Sequence, residues 1–176
     1  MKYIETERLI LGRYKEDDLE RLHGILSDPV TMSYWPAPFT LEQTKKWIEL
    51  SMESNRELGF GRWPVFLKST GQFIGDCGLK IAEINGRQEN DLGYIIHHPY
   101  WRQGYGLEAA RACKLYALEE LKFDRLCANM AYDNMASMHV AEKLGMHREC
   151  EFYNTRNRGI LTYLYSLERD DFDVSR

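Results

Sequence analysis

The stretch Gly93-Tyr94-Ile95-Ile96-His97-His98-Pro99-Tyr100-Trp101-Arg102-Gln103-Gly104-Tyr105-Gly106-Leu107-Glu108-Ala109 decides how the rest of the chain is read. An apolar, strand-like run ends at a proline, and two glycines then open a segment of helical periodicity. The first backbone N–H groups of a helix have no intrahelical partner, and the helix dipole adds partial positive charge there. Glycines at this junction let a ligand approach the backbone closely, so the pattern forms a cradle for an anion such as a pyrophosphate. Tight turns and close helix packing select glycine too, so the context must decide.

Spacing excludes two familiar phosphate loops. Ala109 completes a G-x-G-x-x-A string, but a dinucleotide fingerprint sits on the first strand of a parallel unit, with an acidic residue about 20 residues on. Here the loop is mid-chain, and most preceding elements read as antiparallel hairpins. No Gly-Lys-Ser/Thr follows a glycine at the interval that the other loop requires.

Working outward, the patterning predicts a first strand over residues 8–14 and a helix over 17–26 with Leu19, Leu22, Ile25 and Leu26 on one face. A second helix begins near Thr40, which makes a capping box with Gln43, and turns Leu41, Thr44, Trp47 and Ile48 inward. Between them lies the apolar loop Tyr34-Trp35-Pro36-Ala37-Pro38-Phe39, either a packed lid or part of an acceptor pocket. Residues 64–68 and 72–80 form a hairpin around Thr70-Gly71, and a third strand, 91–97, follows the turn Asn85-Gly86-Arg87. A long helix is expected over 104–121, then a strand over 125–132 that runs parallel to the preceding one if the helix is a crossover. A short helix over 135–144 stops at Gly145, a left-handed cap, and strands over 146–153 and 159–168 close the chain. The expected class is α/β (α+β): one domain over residues 1–176, a mixed, mostly antiparallel twisted sheet with helices on both faces.

The chain resembles the GNAT superfamily of acyl-CoA-dependent N-acetyltransferases, and within it the ribosomal-protein (RimJ/RimL-like) branch. The match rests on Glu5-Thr-Glu-Arg-Leu-Ile-Leu-Gly, on Leu92-Gly-Tyr-Ile-Ile-His-His-Pro-Tyr-Trp-Arg-Gln-Gly-Tyr-Gly-Leu-Glu-Ala, on Asn134-Met-Ala-Ser137 and on Glu142-Lys-Leu-Gly-Met146, in that order over nearly the whole chain. Trp101 stands where the superfamily loop usually has Gln or Arg. The resemblance implies acetyl-CoA as co-substrate, with no metal, and direct transfer of the acetyl group to a primary amine, on a protein N-terminus or a small molecule. The alternative is a non-catalytic acyl-CoA-binding sensor or scaffold of the same fold, which would keep the cradle but lack a working acid or base.

It also implies roles. The backbone of Ile95, Ile96 and His97 would lie along the pantetheine arm, with one N–H polarising the thioester carbonyl, and Gln103, Gly104, Tyr105, Gly106 and Leu107 would hold the pyrophosphate. Asn134 maps to a cofactor contact, with a helix N-cap as its other reading. Ser137 maps to the serine near the sulfur and is the first candidate to donate a proton to the leaving thiolate, with Tyr132 and Tyr153 as rivals. Lys143 is either a phosphate contact or a solvated helix charge. Asp91 is the candidate general base, ahead of His97 and Glu149. His97 and His98 titrate near neutrality, but adjacent strand residues face opposite sides, and neither has a ligand partner at metal spacing on its own element.

Composition sets the remaining bounds. At 176 residues and 44% hydrophobic the chain can bury a substantial core, and a net charge of −4 suggests no general affinity for nucleic acid or anionic membranes. The four cysteines, Cys77, Cys113, Cys127 and Cys150, form no C-x-x-C pair and read as reduced core residues. With no leader pattern and no membrane-length apolar run, the expected location is the cytoplasm. A homodimer is an admissible assembly.

Overall fold

The computed structural model describes residues 3–174. Its elements are β1 (Ile4–Glu5), β2 (Leu9–Leu11), α1 (Leu19–Leu26), α2 (Leu41–Glu57), β3 (Arg62–Leu67), β4 (Phe73–Ile84), β5 (Arg87–Ile96), α3 (Tyr105–Leu115), β6 (Arg125–Ala131), α4 (Met135–Lys143), β7 (His147–Asn154), β8 (Ile160–Glu168) and α5 (Arg169–Val174). The strands form one sheet in the order β1-β2-β3-β4-β5-β6-β8-β7.

The longest hairpin, β4–β5, organises the sheet. Asn85 and Gly86 both have positive φ, 48° and 76°, as the two-residue turn that matches strand twist requires. The turn fixes a register running from Ile84↔Arg87 to Gly75↔Ile96. Side chains then alternate: Cys77, Leu79 and Leu92 enter a core with Ala109, Ala110 and Cys113 of α3, whereas Ile95 packs with Leu22, Ile25 and Leu26 of α1 and Ile48 of α2. Helices therefore cover both faces, as predicted.

The crossover through α3 makes β5 and β6 parallel, again as the patterning predicts, but their pairing is confined to Asp91↔Cys127. Every other neighbouring pair is antiparallel. Beyond Asp91 the two strands diverge toward their C-terminal ends, which opens the sheet.

Some local expectations are corrected. The strand over 8–14 is only Leu9–Leu11, preceded by β1. The capping box of Thr40 and Gln43 forms, yet Leu41 faces outward, because the first turn of α2 projects past the core. The long helix changes to a wider π turn over Tyr116–Glu120. Cys77, Cys113 and Cys127 are buried, but Cys150 is only half so, at the edge strand. Among the described residues no helix is long and apolar enough to cross a membrane.

The amino-terminal segment is fastened to α3 through one carboxylate. Glu108 accepts from the Thr6 hydroxyl at 2.5 Å, from the Arg8 backbone N–H at 2.8 Å and from Arg8 Nε at 2.7 Å. Partial burial opposes ionisation, but the bonds from Thr6 and Arg8 outweigh it and hold the carboxyl below its ordinary value. Glu108→Ala should therefore cost about 1–2 kcal/mol at neutral pH, measured by denaturant unfolding. Because the folded-state value is depressed, the contribution is present above the unfolded carboxylate range and is lost as pH falls below about 4, so the difference from the unsubstituted protein should shrink there.

Candidate active site

A cavity of about 480 Å³ passes through the opening between β5 and β6. On the α3 side Tyr94, Asn134 and Ser137 line it; on the other side lie Trp47, Arg62, Lys80 and Asp91, with Tyr34, Trp35 and Pro36 as part of its wall. One space is thus reached from both faces of the sheet.

At the start of α3 the glycine loop opens the helix where the patterning places it. Gly104 is the N-cap residue with φ +83° and no side-chain cap. Among the described residues, the backbone N–H groups of Gln103 through Leu107 donate to no protein acceptor. A run of five free donors at a helix N-terminus suits an anion. Arg8 completes the loop: it donates to the Gln103 carbonyl at 3.0 Å and lies 4.5 Å over the Tyr105 ring. Sequence reasoning missed this side chain, because 95 residues separate it from the loop it supports.

The structure redirects the backbone assignments on β5. The His97 N–H donates to the Ile74 carbonyl at 2.9 Å, in register with the β4–β5 ladder. Antiparallel alternation gives Ile95 the same direction, toward β4, and turns the backbone polar groups of Tyr94 and Ile96 toward the opening. Ile96 thus turns its backbone to the opening, together with Tyr94, while the Ile95 and His97 backbones are taken up by β4. The Ile96 carbonyl accepts from the Trp101 indole at 2.6 Å, so the tryptophan at the unusual loop position closes the end of β5.

Asn134 is the N-cap of α4: its side-chain oxygen accepts from the Ser137 N–H at 3.1 Å, and its side chain also borders the cavity. That bond fixes the first turn of α4 and with it the position of Ser137. Beside Ser137 lies Tyr94, whose hydroxyl is buried without a hydrogen-bond partner. Burial pushes this hydroxyl up to about 12, with the nearby Ser137 hydroxyl opposing the rise. The two hydroxyls are neighbours, with no hydrogen bond of normal geometry between them. Of the rival donors, Tyr153 borders the cavity but is 75% exposed, and Tyr132 is half exposed and outside the lining.

Asp91 was expected to begin its strand. It lies instead within β5, buried, at the pairing where β5 and β6 part. Its Oδ1 accepts from Asn129 Nδ2 at 3.0 Å, and its Oδ2 is 3.8 Å from Lys80 Nζ. Glu149 instead pairs with Arg125, outside the cavity lining, and Lys143 is exposed on α4, also outside it.

Below this carboxylate a buried network shapes the floor. Arg62 Nε donates to Asp76 Oδ1 at 2.6 Å, Tyr14 donates to Asp76 Oδ2, and the Trp47 indole donates to the same oxygen at 3.1 Å. Gly93 is required here, since a Cβ would run into the Arg62 guanidinium. Trp35, Phe39 and Trp47 meet edge to face at 5.6–5.9 Å, so the apolar loop is at once packed and part of the cavity wall. Asn157 in the β7–β8 turn donates to the Tyr34 carbonyl at 2.8 Å and joins the two rims.

His97 and His98 do have a partner, from another element. One ligating atom each of Asp28, His97 and His98 lie within 4.8 Å of one another. Asp28 Oδ2, however, already accepts from the Thr31 N–H and hydroxyl at 2.7 and 2.5 Å and meets His98 Nδ1 at 2.8 Å. We read the group as the fastening of the α1–α2 loop to the end of β5.

The chain matches the acetyltransferase (GNAT) domain family over residues 8–147. It is 34% identical over 143 residues to the uncharacterized protein YkkB of Bacillus subtilis, covering 81% of this chain and 83% of YkkB. The crystal structure of a GNAT-family acetyltransferase from Bacillus anthracis superimposes with a TM-score of 0.81 at 27% identity, over 96% of this chain and 99% of that one. RimL, a ribosomal L7/L12 α-N-protein acetyltransferase in complex with coenzyme A, shares the fold with a TM-score of 0.77 at 17% identity, over 97% and 99% of the chains. The chain belongs to the GNAT acetyltransferase family and is an N-acetyltransferase.

The two glycines should respond differently to substitution. A Cβ on Gly106 makes only ordinary contacts, 3.5 Å to the Tyr94 ring, while Gly104 has a left-handed φ and a Cβ there would lie 3.3 Å from Arg8. Gly106→Val should weaken coenzyme A at least about tenfold in calorimetry with a melting temperature lowered by only a few degrees, whereas Gly104→Val should lose binding and roughly 1 kcal/mol or more of stability.

Proposed function

We propose that the enzyme transfers the acetyl group of acetyl-CoA directly to a primary amine while both are bound. The observation that carries this reading is the cavity through the sheet, with free N–H donors at the α3 terminus on one face and a buried carboxylate and aromatic wall on the other. Gln103, Gly104, Tyr105, Gly106 and Leu107 hold the pyrophosphate, and the backbone of Tyr94 and Ile96 lies along the pantetheine arm. The fold shared with coenzyme A-bound RimL supports this placement.

Little covalent help is needed, because a thioester is already activated and thiolate is a good leaving group; positioning dominates. Asp91 accepts the proton that the amine must lose, directly or through water. The amine nitrogen then bonds to the acetyl carbon, the carbon–sulfur bond breaks, and its electron pair leaves with sulfur. Ser137 donates a hydrogen bond to that sulfur as its charge develops. The acceptor is a peptide N-terminus or a small amine; RimL's protein substrate makes the former one candidate.

Thiol release from acetyl-CoA, measured with a panel of small amines and short peptides, tests the reading. At least one amine should raise release about tenfold or more over hydrolysis; binding without amine-dependent release overturns it. Ser137→Ala should lower turnover by about 10 to 1,000-fold with acetyl-CoA affinity nearly unchanged. Normal turnover in that variant beside an inactive Tyr153→Phe would move the role to Tyr153.

Asp91→Asn should depress the rate most at low pH, where little free amine exists. The defect should shrink as pH approaches the amine's own pKa, because solvent then supplies the deprotonated nucleophile. A pH-rate profile with a defect of constant size would assign Asp91 a positioning role instead.

A further inference from the structure

The Tyr94 side chain is not used by the chemistry described so far, yet its placement is unusual. It stands on β5 immediately past the point where the sheet opens, and its ring packs under the first turn of α3, 3.5 Å from where a Gly106 Cβ would be. Its hydroxyl is buried, has no hydrogen-bond partner and lies beside the Ser137 hydroxyl on the cavity wall. A buried hydroxyl that finds no partner destabilises the fold, and phenylalanine would fill the same space without that loss. The core thiol of Cys77 on β4 makes no hydrogen bond to it either.

We propose that Tyr94 is a positioning residue for the leaving group: its hydroxyl donates to Ser137 Oγ when coenzyme A is bound, directing the serine proton at the sulfur and strengthening that donor. This rests on Ser137 acting at the sulfur, as in the proposed function. No proton leaves Tyr94. The electron pair of the breaking carbon–sulfur bond departs with sulfur, the amine's proton goes to Asp91, and the chain Tyr94 O–H to Ser137 O–H to sulfur spreads the thiolate charge over two hydrogen bonds, each polarising the next. Burial disfavours the phenolate, so Tyr94 stays a neutral donor through the range in which an amine is acetylated.

The acidity of bound coenzyme A reports the chain without an acceptor. The enzyme saturated with coenzyme A is titrated while the ultraviolet absorbance of its thiolate is followed. Ser137→Ala should raise the apparent thiol pKa by roughly one unit and Tyr94→Phe by roughly half a unit, with coenzyme A affinity unchanged at low pH. In the double variant the shift should equal that of Ser137→Ala alone. Tyr94→Phe should keep or raise the melting temperature, because it removes an unpaired buried hydroxyl. An additive double variant, an unshifted Tyr94→Phe beside a shifted Ser137→Ala, or a Tyr94→Phe protein that loses stability would each overturn the proposal and leave Ser137 in place. An unshifted Ser137→Ala would instead remove Ser137 from the sulfur, and this proposal with it.

Discussion

The structure depends on a single place where hydrogen bonding stops. β5 and β6 pair only at Asp91↔Cys127, although each is fully paired on its other side, β5 to β4 and β6 to β8. Interior strands ordinarily satisfy both edges, and exposed edge groups invite other chains to pair. Here the inward backbone groups of Tyr94 and the Ile96 N–H are left open in the middle of the sheet, the Ile96 carbonyl being taken by the Trp101 indole. Such an edge is a ready template for an extended ligand that carries amide groups, and the pantetheine arm has that chemistry. The neighbouring ladders make the opening affordable by holding each strand rigid from the outside.

The same divergence explains why groups from opposite faces of the sheet share one cavity. In a closed sheet, Asp91 and Tyr94 would be separated by the layer itself, since their side chains alternate. In the proposed function the cofactor enters this opening over α3 and α4 and the acceptor over α2. The buried ion pair of Arg62 and Asp76, with Tyr14 and Trp47 on the same carboxylate, gives that second side a rigid floor. Removing one member would strand a buried charge at a cost of about 3–5 kcal/mol, so the floor resists rearrangement by a ligand.

Much of this was legible in the sequence. The helix-opening glycines, the Asn85-Gly86 hairpin turn, the Thr40 capping box and the Gly145 stop are local signals whose chemistry is contained within a few residues, and each stands where the patterning put it. Residues whose role depends on a distant partner were harder to read. Arg8 needs Glu108, Asp91 needs its place at the parting of two strands, and Tyr94 needs α4 to bring Ser137 beside it. The phase of a strand was the subtlest loss. A shift of one residue in the ladder decides whether Ile95 or Ile96 shows its backbone to the opening, and only the bond from His97 to Ile74 fixes that phase.

The division between the two halves of the site follows from the same distinction. In the proposed function the cofactor is held by backbone groups at a helix terminus and along a strand, which many side chains can accompany provided that glycine stands at Gly104 and Gly106. The face assigned to the acceptor in that proposal is lined by side chains: Tyr34 and Trp35 in one loop, Trp47 on α2, Lys80 and Asp91 on the central hairpin, and the β7–β8 turn held to Tyr34 through Asn157. Substitution in these elements can change the shape and charge of the acceptor chamber without touching the cradle or the opening of the sheet. The fold therefore fixes the chemistry of transfer, and the identity of the amine is written in the loops that close over it.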